Sequence, residues 1–109
     1  MQCTNAGMRR HLLFALLLIA ACSRTTADQA SSWVATLQFT GEQWLAGRVP
    51  TSFVRATIDS ADRALQKTKA PVAPAARAAA EEMRQAIDRN DRAAVARLVK
   101  RFASLHAST

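Results

Sequence analysis

The chain has 109 residues, which is enough for one domain and excludes a second. Half of the residues are hydrophobic, mostly Ala and Leu, whereas Gly and Pro occur three times each and Tyr is absent. The formal net charge is +7. Because Ala, Leu, Arg, Gln and Glu have the lowest cost in helices, this composition favours an all-α domain.

A basic and then apolar segment lies near the N-terminus. Arg9, Arg10 and His11 precede the ten apolar residues 12–21. A helix of this length covers about 15 Å, half of a hydrocarbon core of about 30 Å, so the segment is too short for a transmembrane helix. The pattern predicts a secretory signal over residues 1–21. The alternative, a buried core helix, fits poorly because the run is apolar on every face.

The end of this segment carries a more specific motif, Ile19-Ala20-Ala21-Cys22. It resembles the lipobox of bacterial lipoproteins, in which an aliphatic residue and two small residues precede an invariant cysteine. Leu is the usual residue at the position of Ile19, and Ile is an accepted variant. The resemblance covers only the first fifth of the chain. The competing interpretation is an ordinary secretory signal that is cut after an Ala.

The resemblance implies cleavage between Ala21 and Cys22, with a diacylglycerol on the thiol of Cys22 and an acylated new N-terminus. Cys3 would be removed, so no intramolecular disulfide could form, and the mature net charge would be +5. Ser23, rather than Asp, follows the cysteine, which indicates the outer membrane. Residues 22–28 would form a short tether reaching at most about 20 Å, so we expect the domain to lie close to the lipid surface.

Residues 29–107 are predicted to form one helical domain. Asp28 is a plausible N-cap, Gly47 followed by Pro50 a plausible stop, and Pro71 and Pro74 a stiff connection. No segment alternates with period two, and hairpin turn signals are absent. We therefore expect a small antiparallel bundle of three to four helices. The predicted helices are residues 28–46, 51–69, 75–89 and 91–106.

Each predicted helix carries an apolar stripe at helical spacing. Asn90 and Asp91 separate the third helix from the fourth, with Asp91 as N-cap, although one long continuous helix is the alternative. The stripes comprise Trp33, Val34, Leu37, Gly41, Trp44 and Leu45; Val54, Ile58, Ala61 and Leu65; Ala76, Ala80, Met83 and Ile87; and Val95, Leu98, Val99, Phe102 and Leu105.

Charged residues on the outer faces of these helices follow i, i+4 spacing. Arg55, Asp59 and Arg63 follow one another at this interval, as do Arg77 and Glu81. Such spacing predicts solvated ion pairs within each helix.

Signals for catalysis are poor. The domain has one histidine, His106, close to the frayed end of the last helix, where it fits a helix-dipole partner better than a catalyst. No phosphate-binding loop, zinc ligand set or paired-carboxylate site is evident. We therefore expect no enzymatic activity, no cofactor and no metal.

Basic residues dominate the last predicted helix. Arg97, Lys100 and Arg101 lie opposite its apolar stripe. A solvated surface that suits a helix C-terminus explains them, and the functional alternative is a patch for anionic lipid head groups, lipopolysaccharide phosphates or an acidic partner. Nucleic acid is not expected as a partner, because no recognition motif is present.

Three aromatic residues of the first predicted helix are candidate contact residues. Trp33 and Trp44 are predicted to supply much of the buried core area, and the alternative is a groove for a partner helix or a ligand. Phe39 projects from the opposite side of the helix. It either packs against another helix of the bundle or marks a contact surface.

Together these features predict a lipid-anchored envelope protein, facing the periplasm, that works as a non-catalytic structural or interaction module with an envelope protein as partner. A binding module for anionic envelope ligands, acting through Arg97, Lys100 and Arg101, is the alternative. Binding through that patch would weaken steeply with ionic strength, whereas apolar contact through Phe39 would not.

Overall fold

The computed structural model describes residues 28–109, and within this range every regular element is a helix. The predicted signal segment, its cleavage site at Ala21 and the predicted lipidation site Cys22 lie outside the described residues. The predicted all-α class is confirmed. The helices are α1 (residues 28–45), α2 (Thr51–Gln66), α3 (Ala73–Asp88) and α4 (Arg92–Ala107).

The first helix ends close to its predicted stop, and Asp28 does not act as its N-cap. Asp28 is already helical, so its prediction as the N-cap is wrong. At the other end Gly47 has a φ of 73°, its N–H donates to the Trp44 carbonyl, and the N–H of Arg48 donates to the Gln43 carbonyl at 2.9 Å. This pair of bonds is a Schellman motif, which needs a left-handed residue and so explains the glycine.

The connection between α2 and α3 differs from the prediction at both ends. The second helix stops at Gln66 rather than residue 69, and the Thr68 hydroxyl accepts a hydrogen bond from the N–H of Ala70 at 2.9 Å, which turns the chain. The third helix begins at Ala73 rather than residue 75. Pro74 lies in its first turn, where a missing N–H costs nothing because that N–H has no helical partner.

The predicted break between the third and fourth helices is confirmed. Asn90 has a φ of 53°, and the N–H of Asp91 donates to the Ala86 carbonyl at 2.8 Å, which closes α3. The Asp91 carboxylate then accepts a hydrogen bond from the N–H of Ala94 at 3.0 Å and caps α4. One short segment therefore ends one helix and starts the next.

The four helices alternate in direction. At one end of the bundle Nδ1 of His106 in α4 lies 3.1 Å from the Ser31 hydroxyl in α1. At the other end the Arg92 guanidinium of α4 donates a hydrogen bond to the carbonyl of Leu45 in α1. The first and last helices are therefore antiparallel neighbours, and α3 packs against both α2 and α4. The arrangement is an up-down-up-down bundle.

The core confirms the predicted stripes. Phe102, Leu37, Ile58, Leu65 and Met83 are among the largest fully buried side chains. Trp33, Leu45, Val99 and Leu105 are half-buried and pack against this core. Alanines supply much of the rest, which lets the helices approach closely; those buried are Ala30, Ala61, Ala73, Ala76, Ala79, Ala80, Ala86 and Ala94.

Helix α1 approaches α3 and α4 closely at Gly41. A Cβ built on this residue would lie 2.7 Å from Cγ2 of Val99 in α4 and 3.3 Å from Sδ of Met83 in α3. Glycine in a helix interior costs about 1 kcal/mol relative to alanine. Close helix packing accounts for its presence here.

Three ion pairs cross between α2 and α3, and we call this surface the α2–α3 seam. They join Arg55 to Asp88 at 2.6 Å, Asp59 to Arg84 at 2.5 Å, and Asp62 to Arg77 at 3.0 Å. The hydrogen bond with Asp59 raises the pKa of Arg84 above its usual value.

The predicted i, i+4 ion pairs are therefore wrong. Arg55 and Asp59 both pair with residues of α3, and Arg63 donates instead to the Ser60 hydroxyl. Glu81 does pair within α3, but with Arg84 rather than Arg77. For Arg55, Asp59 and Arg77, antiparallel packing places an opposite charge of the neighbouring helix closer than one a turn away.

Candidate functional site

A groove of about 380 Å³ lies between α3 and α4, and we call it the arginine groove. Residues at positions 82, 85 and 89 form one wall, since i, i+3 and i+4 neighbours share a helix face. Positions 94, 97, 98 and 101 form the other wall by the same spacing. The lining residues are Glu82, Gln85 and Arg89 from the α3 side and Ala94, Arg97, Leu98 and Arg101 from α4.

The charge in this groove is unbalanced. Three guanidinium groups and one carboxylate line it, which leaves a net charge of two positive units. Glu82 pairs with Arg101 at 3.1 Å. Among residues 28–109, no carboxylate lies within ion-pair distance of Arg89 or Arg97. The groove can therefore accept an anionic group without first breaking an ion pair.

The structure divides the basic patch predicted on α4. Arg97 and Arg101 both line the arginine groove, but Lys100, although exposed, is not among its lining residues. Arg101 is also held by Glu82, so its charge is partly neutralised. The three residues thus do not form one uniform surface.

Two polar residues of the groove were missed by the sequence reasoning. Gln85 and Arg89 lie one turn apart, at the end of α3 and just beyond it, and their i, i+4 spacing is visible in the sequence. That spacing places them on one face of the helix. It does not reveal that this face lies beside Arg97, because the rotation of α3 against α4 is set by core packing.

Trp44 is a core residue, as predicted, with 7% of its surface exposed. Its indole N–H donates to the Thr51 hydroxyl at 3.2 Å, and the Arg92 guanidinium carbon lies 5.8 Å from the ring centroid. This tryptophan joins the end of α1 to the starts of α2 and α4 through one polar contact and one cation–π contact.

The other aromatic residues of the first two helices reach the surface. Phe39 is 60% exposed, so within the described chain it does not pack into the bundle. Phe53, which sequence reasoning did not single out, is 51% exposed. Trp33 is half-buried and lines a shallow surface between α1 and α2 together with Phe53, Thr36, Ala56, Thr57 and Ser60.

His106 lies in the last turn of α4, as the dipole interpretation requires. Its contact with Ser31 was not anticipated, and the Ser31 hydroxyl in turn accepts a hydrogen bond from the Thr109 hydroxyl at 3.1 Å. Within residues 28–109 the imidazole makes no hydrogen bond to a carboxylate that would orient it as a base. The contact fastens the last helix to the first.

In the part of the chain that the structure describes, no group of three or more His, Cys, Asp or Glu side chains could hold a metal ion. None of the helices between residues 28 and 109 is both long and apolar enough to cross a bilayer.

No protein-family model matches the chain, and no curated protein or solved structure is significantly similar to it. Residues 28–109 form a small four-helix bundle, a fold that does not by itself specify a function.

Proposed function

We propose that this chain is a lipid-anchored protein of the bacterial cell envelope whose helical bundle acts as a non-catalytic interaction module. The observation that carries the proposal is the Ile19-Ala20-Ala21-Cys22 motif directly after a basic and apolar segment. Acylation of both Cys22 positions, the thiol and the new amine, would give an anchor of two or more chains, which binds a bilayer stably.

The position of the folded domain supports this proposal. Helix α1 already includes Asp28, only six residues after Cys22. A link of this length reaches at most about 20 Å, so the bundle would stay beside the lipid surface. Ser23 after the cysteine favours the outer membrane, with the domain facing the periplasm.

The surface of the bundle supports a contact function. Phe39 and Phe53 expose half or more of their surface, so a large apolar area stays in contact with water in the isolated chain. An envelope protein that covers Phe39 would recover that area. No cofactor is required by such a role, and nucleic acid is not among the proposed partners.

Metabolic labelling with a radioactive fatty acid, followed by membrane fractionation, tests the anchor. The wild type should take up label and sediment with membranes, and Cys22→Ser should do neither. Cys3→Ser is the matched control, because it changes the other cysteine and should behave as the wild type. Unlabelled, soluble wild-type protein would disprove the anchor, and separation of the two membranes by density tests the outer-membrane assignment.

Cross-linking in intact cells tests the contact surface. Phe39→Ala should reduce a specific cross-linked product, because it removes an exposed apolar side chain without touching the core. Glu42→Ala, one turn further along the exposed surface of α1, serves as the control. Equal cross-linking by wild type and Phe39→Ala would remove Phe39 from the proposed interface.

A second candidate function is favoured by the arginine groove. Arg97, Lys100 and Arg101 were predicted as a patch for anionic lipid head groups, lipopolysaccharide or an acidic partner, and two of them line the groove. Binding of labelled lipopolysaccharide by the full chain in non-ionic detergent should weaken steeply as sodium chloride is raised. Binding that is insensitive to salt would count against this candidate.

A further inference from the structure

We propose that the arginine groove is a site for a single phosphate group. Arg89 and Arg97 bind the phosphate and Gln85 adds a neutral donor. Arg101 is paired with Glu82 until that carboxylate is removed. This inference deepens the second candidate function, on which it rests. It replaces a diffuse basic patch on α4 by a defined site between two helices.

The hydrogen-bond donors of the arginine groove lie on both of its walls. Gln85 and Arg89 project from one face of α3 and its C-cap, and Arg97 and Arg101 project from the facing side of α4, so donors enter the groove from both walls. A groove of about 380 Å³ has room for one phosphate group with its attached moiety.

The positive charge of the arginine groove favours an anion. Exposed basic residues on protein surfaces are often neutralised by a neighbouring carboxylate, and the three pairs of the α2–α3 seam are examples. Arg89 and Arg97 have no such partner among residues 28–109, although they share a groove. Two positive charges that line one groove repel each other, and an anion bound in the groove offsets that repulsion.

The chemistry of these hydrogen-bond donors suits phosphate. Guanidinium groups present rigid pairs of N–H donors that match the oxygens of a phosphate, and they bind it through two parallel hydrogen bonds. The Gln85 amide adds an uncharged donor. Leu98 and Ala94 add apolar surface to the α4 wall, and an apolar surrounding strengthens such contacts.

The carboxylate of Glu82 opposes the binding of an anion. This carboxylate binds Arg101 at the margin of the groove and adds the only negative charge among the lining residues. It therefore lowers the positive potential of the groove. Removing this charge should both release Arg101 and strengthen phosphate binding, which is opposite to the effect of removing an arginine.

The groove lies toward the end of the bundle that is farther from Asp28. Ser31 of α1 neighbours His106, whereas Arg89 and Ala94 flank the turn at the opposite end. The phosphate could belong to a free phosphate compound or to a lipid head group, and these two sources share the chemistry that the groove recognises. The test separates them.

The experiment titrates the full chain in non-ionic detergent with two ligands at constant ionic strength, namely inorganic phosphate and short-chain phosphatidylglycerol. Chemical shifts of the arginine Nε–Hε groups report binding at individual residues. Arg97→Gln and Arg89→Gln should each weaken binding about fivefold, the effect expected for one basic residue close to an anion. Arg97→Lys, which keeps the charge but loses the paired donors, should also weaken it.

Two further variants make the result specific. Lys100→Gln removes a positive charge from the same helix outside the groove, and it should leave the affinity within about twofold of the wild type, since exposed charges at a distance are screened. Glu82→Gln should raise the affinity. Circular dichroism of each variant confirms that the helices are intact.

Tighter binding of inorganic phosphate would assign the site to free phosphate compounds, and tighter binding of the lipid would assign it to head groups. If Lys100→Gln weakens binding as much as Arg97→Gln, the groove is not the site, although a basic surface on α4 would still bind anions. If neither ligand shifts the arginine signals, the phosphate site is overturned, and the salt dependence of lipopolysaccharide binding decides the second candidate function separately.

Discussion

Helix α3 carries charged residues toward two neighbours, and the two surfaces differ. Toward α2 it contributes Arg77, Arg84 and Asp88 to the α2–α3 seam, where each meets an opposite charge. Toward α4 it contributes Glu82 and Arg89 to the arginine groove, where positive charge is in excess. Charge complementarity is thus satisfied on one side of a single helix and left incomplete on the other.

This difference separates a surface that serves the fold from one that is available to a ligand. Exposed ion pairs contribute at most about 1 kcal/mol each, so the seam chiefly favours one register of α2 against α3. Arg89 and Arg97 have no ion-pair partner within residues 28–109, so no ion pair of theirs stabilises the described fold. Their combined field, however, raises the local concentration of anions.

The largest effect should come from the core that supports both surfaces. Phe102 is fully buried, and Phe102→Ala should lower the free energy of unfolding by about 3–5 kcal/mol through lost burial and a cavity. Urea denaturation followed by tryptophan fluorescence measures this. Phe39→Ala, the same truncation at an exposed site, should change it by less than about 0.5 kcal/mol. Similar losses at both positions would contradict the packing described here.

A smaller loss is expected where α1 approaches α4. Gly41→Ala places a methyl group 2.7 Å from Cγ2 of Val99, so overpacking of about 1–3 kcal/mol should outweigh the gain in helix propensity of about 1 kcal/mol. Adding Gly41→Ala to Val99→Ala should be neutral or stabilising, because the clashing methyl is gone. A double-mutant cycle in urea that shows simple additivity would argue against this contact.

Next in size is the effect of the N-cap of α4, which lies beside the arginine groove. Asp91→Ala removes the hydrogen bond to the N–H of Ala94 and should cost about 1 kcal/mol of unfolding free energy. Asp91→Asn keeps an acceptor oxygen and should restore most of the loss. Unchanged stability in both variants would mean that the cap is not formed.

The smallest expected effect distinguishes the α2–α3 seam from the arginine groove. Asp59→Asn should lower the free energy of unfolding by about 0.5 kcal/mol, because it leaves Arg84 without its shortest partner in the α2–α3 seam, and added salt should reduce this loss. Arg97→Gln should leave the free energy of unfolding unchanged or raise it slightly. Equal destabilisation by both would remove the distinction between the seam and the groove.

Local features of the fold were predictable from the sequence. The buried stripe of α2, from Val54 to Leu65, follows from helical spacing alone, and the stop at Gly47 follows from its ability to adopt a left-handed conformation. The break at Asn90 and Asp91 was also predicted. Pro74 was misjudged, because a proline that blocks a helix interior is tolerated in the first turn.

The candidate site was predictable only in part. Arg97 and Arg101 were identified because they lie opposite an apolar stripe, but Lys100 was grouped with them, although it lies outside the groove. Arg89 was missed because it belongs to another segment. Phe53 was missed because its exposure depends on how α2 is rotated against α1.

The sequence by itself determined the helices, their buried faces and the lipobox-like motif, because each depends on residues within a few positions of one another. Only the tertiary structure decided which charges pair and which remain unpaired. Asp59 meets Arg84 rather than Arg63, and Arg89 lines the same groove as Arg97, because core packing sets the rotation and register of each helix against its neighbours. A helix repeats every 3.6 residues whatever surrounds it, but the surface that faces its neighbour depends on how the buried side chains of both interlock.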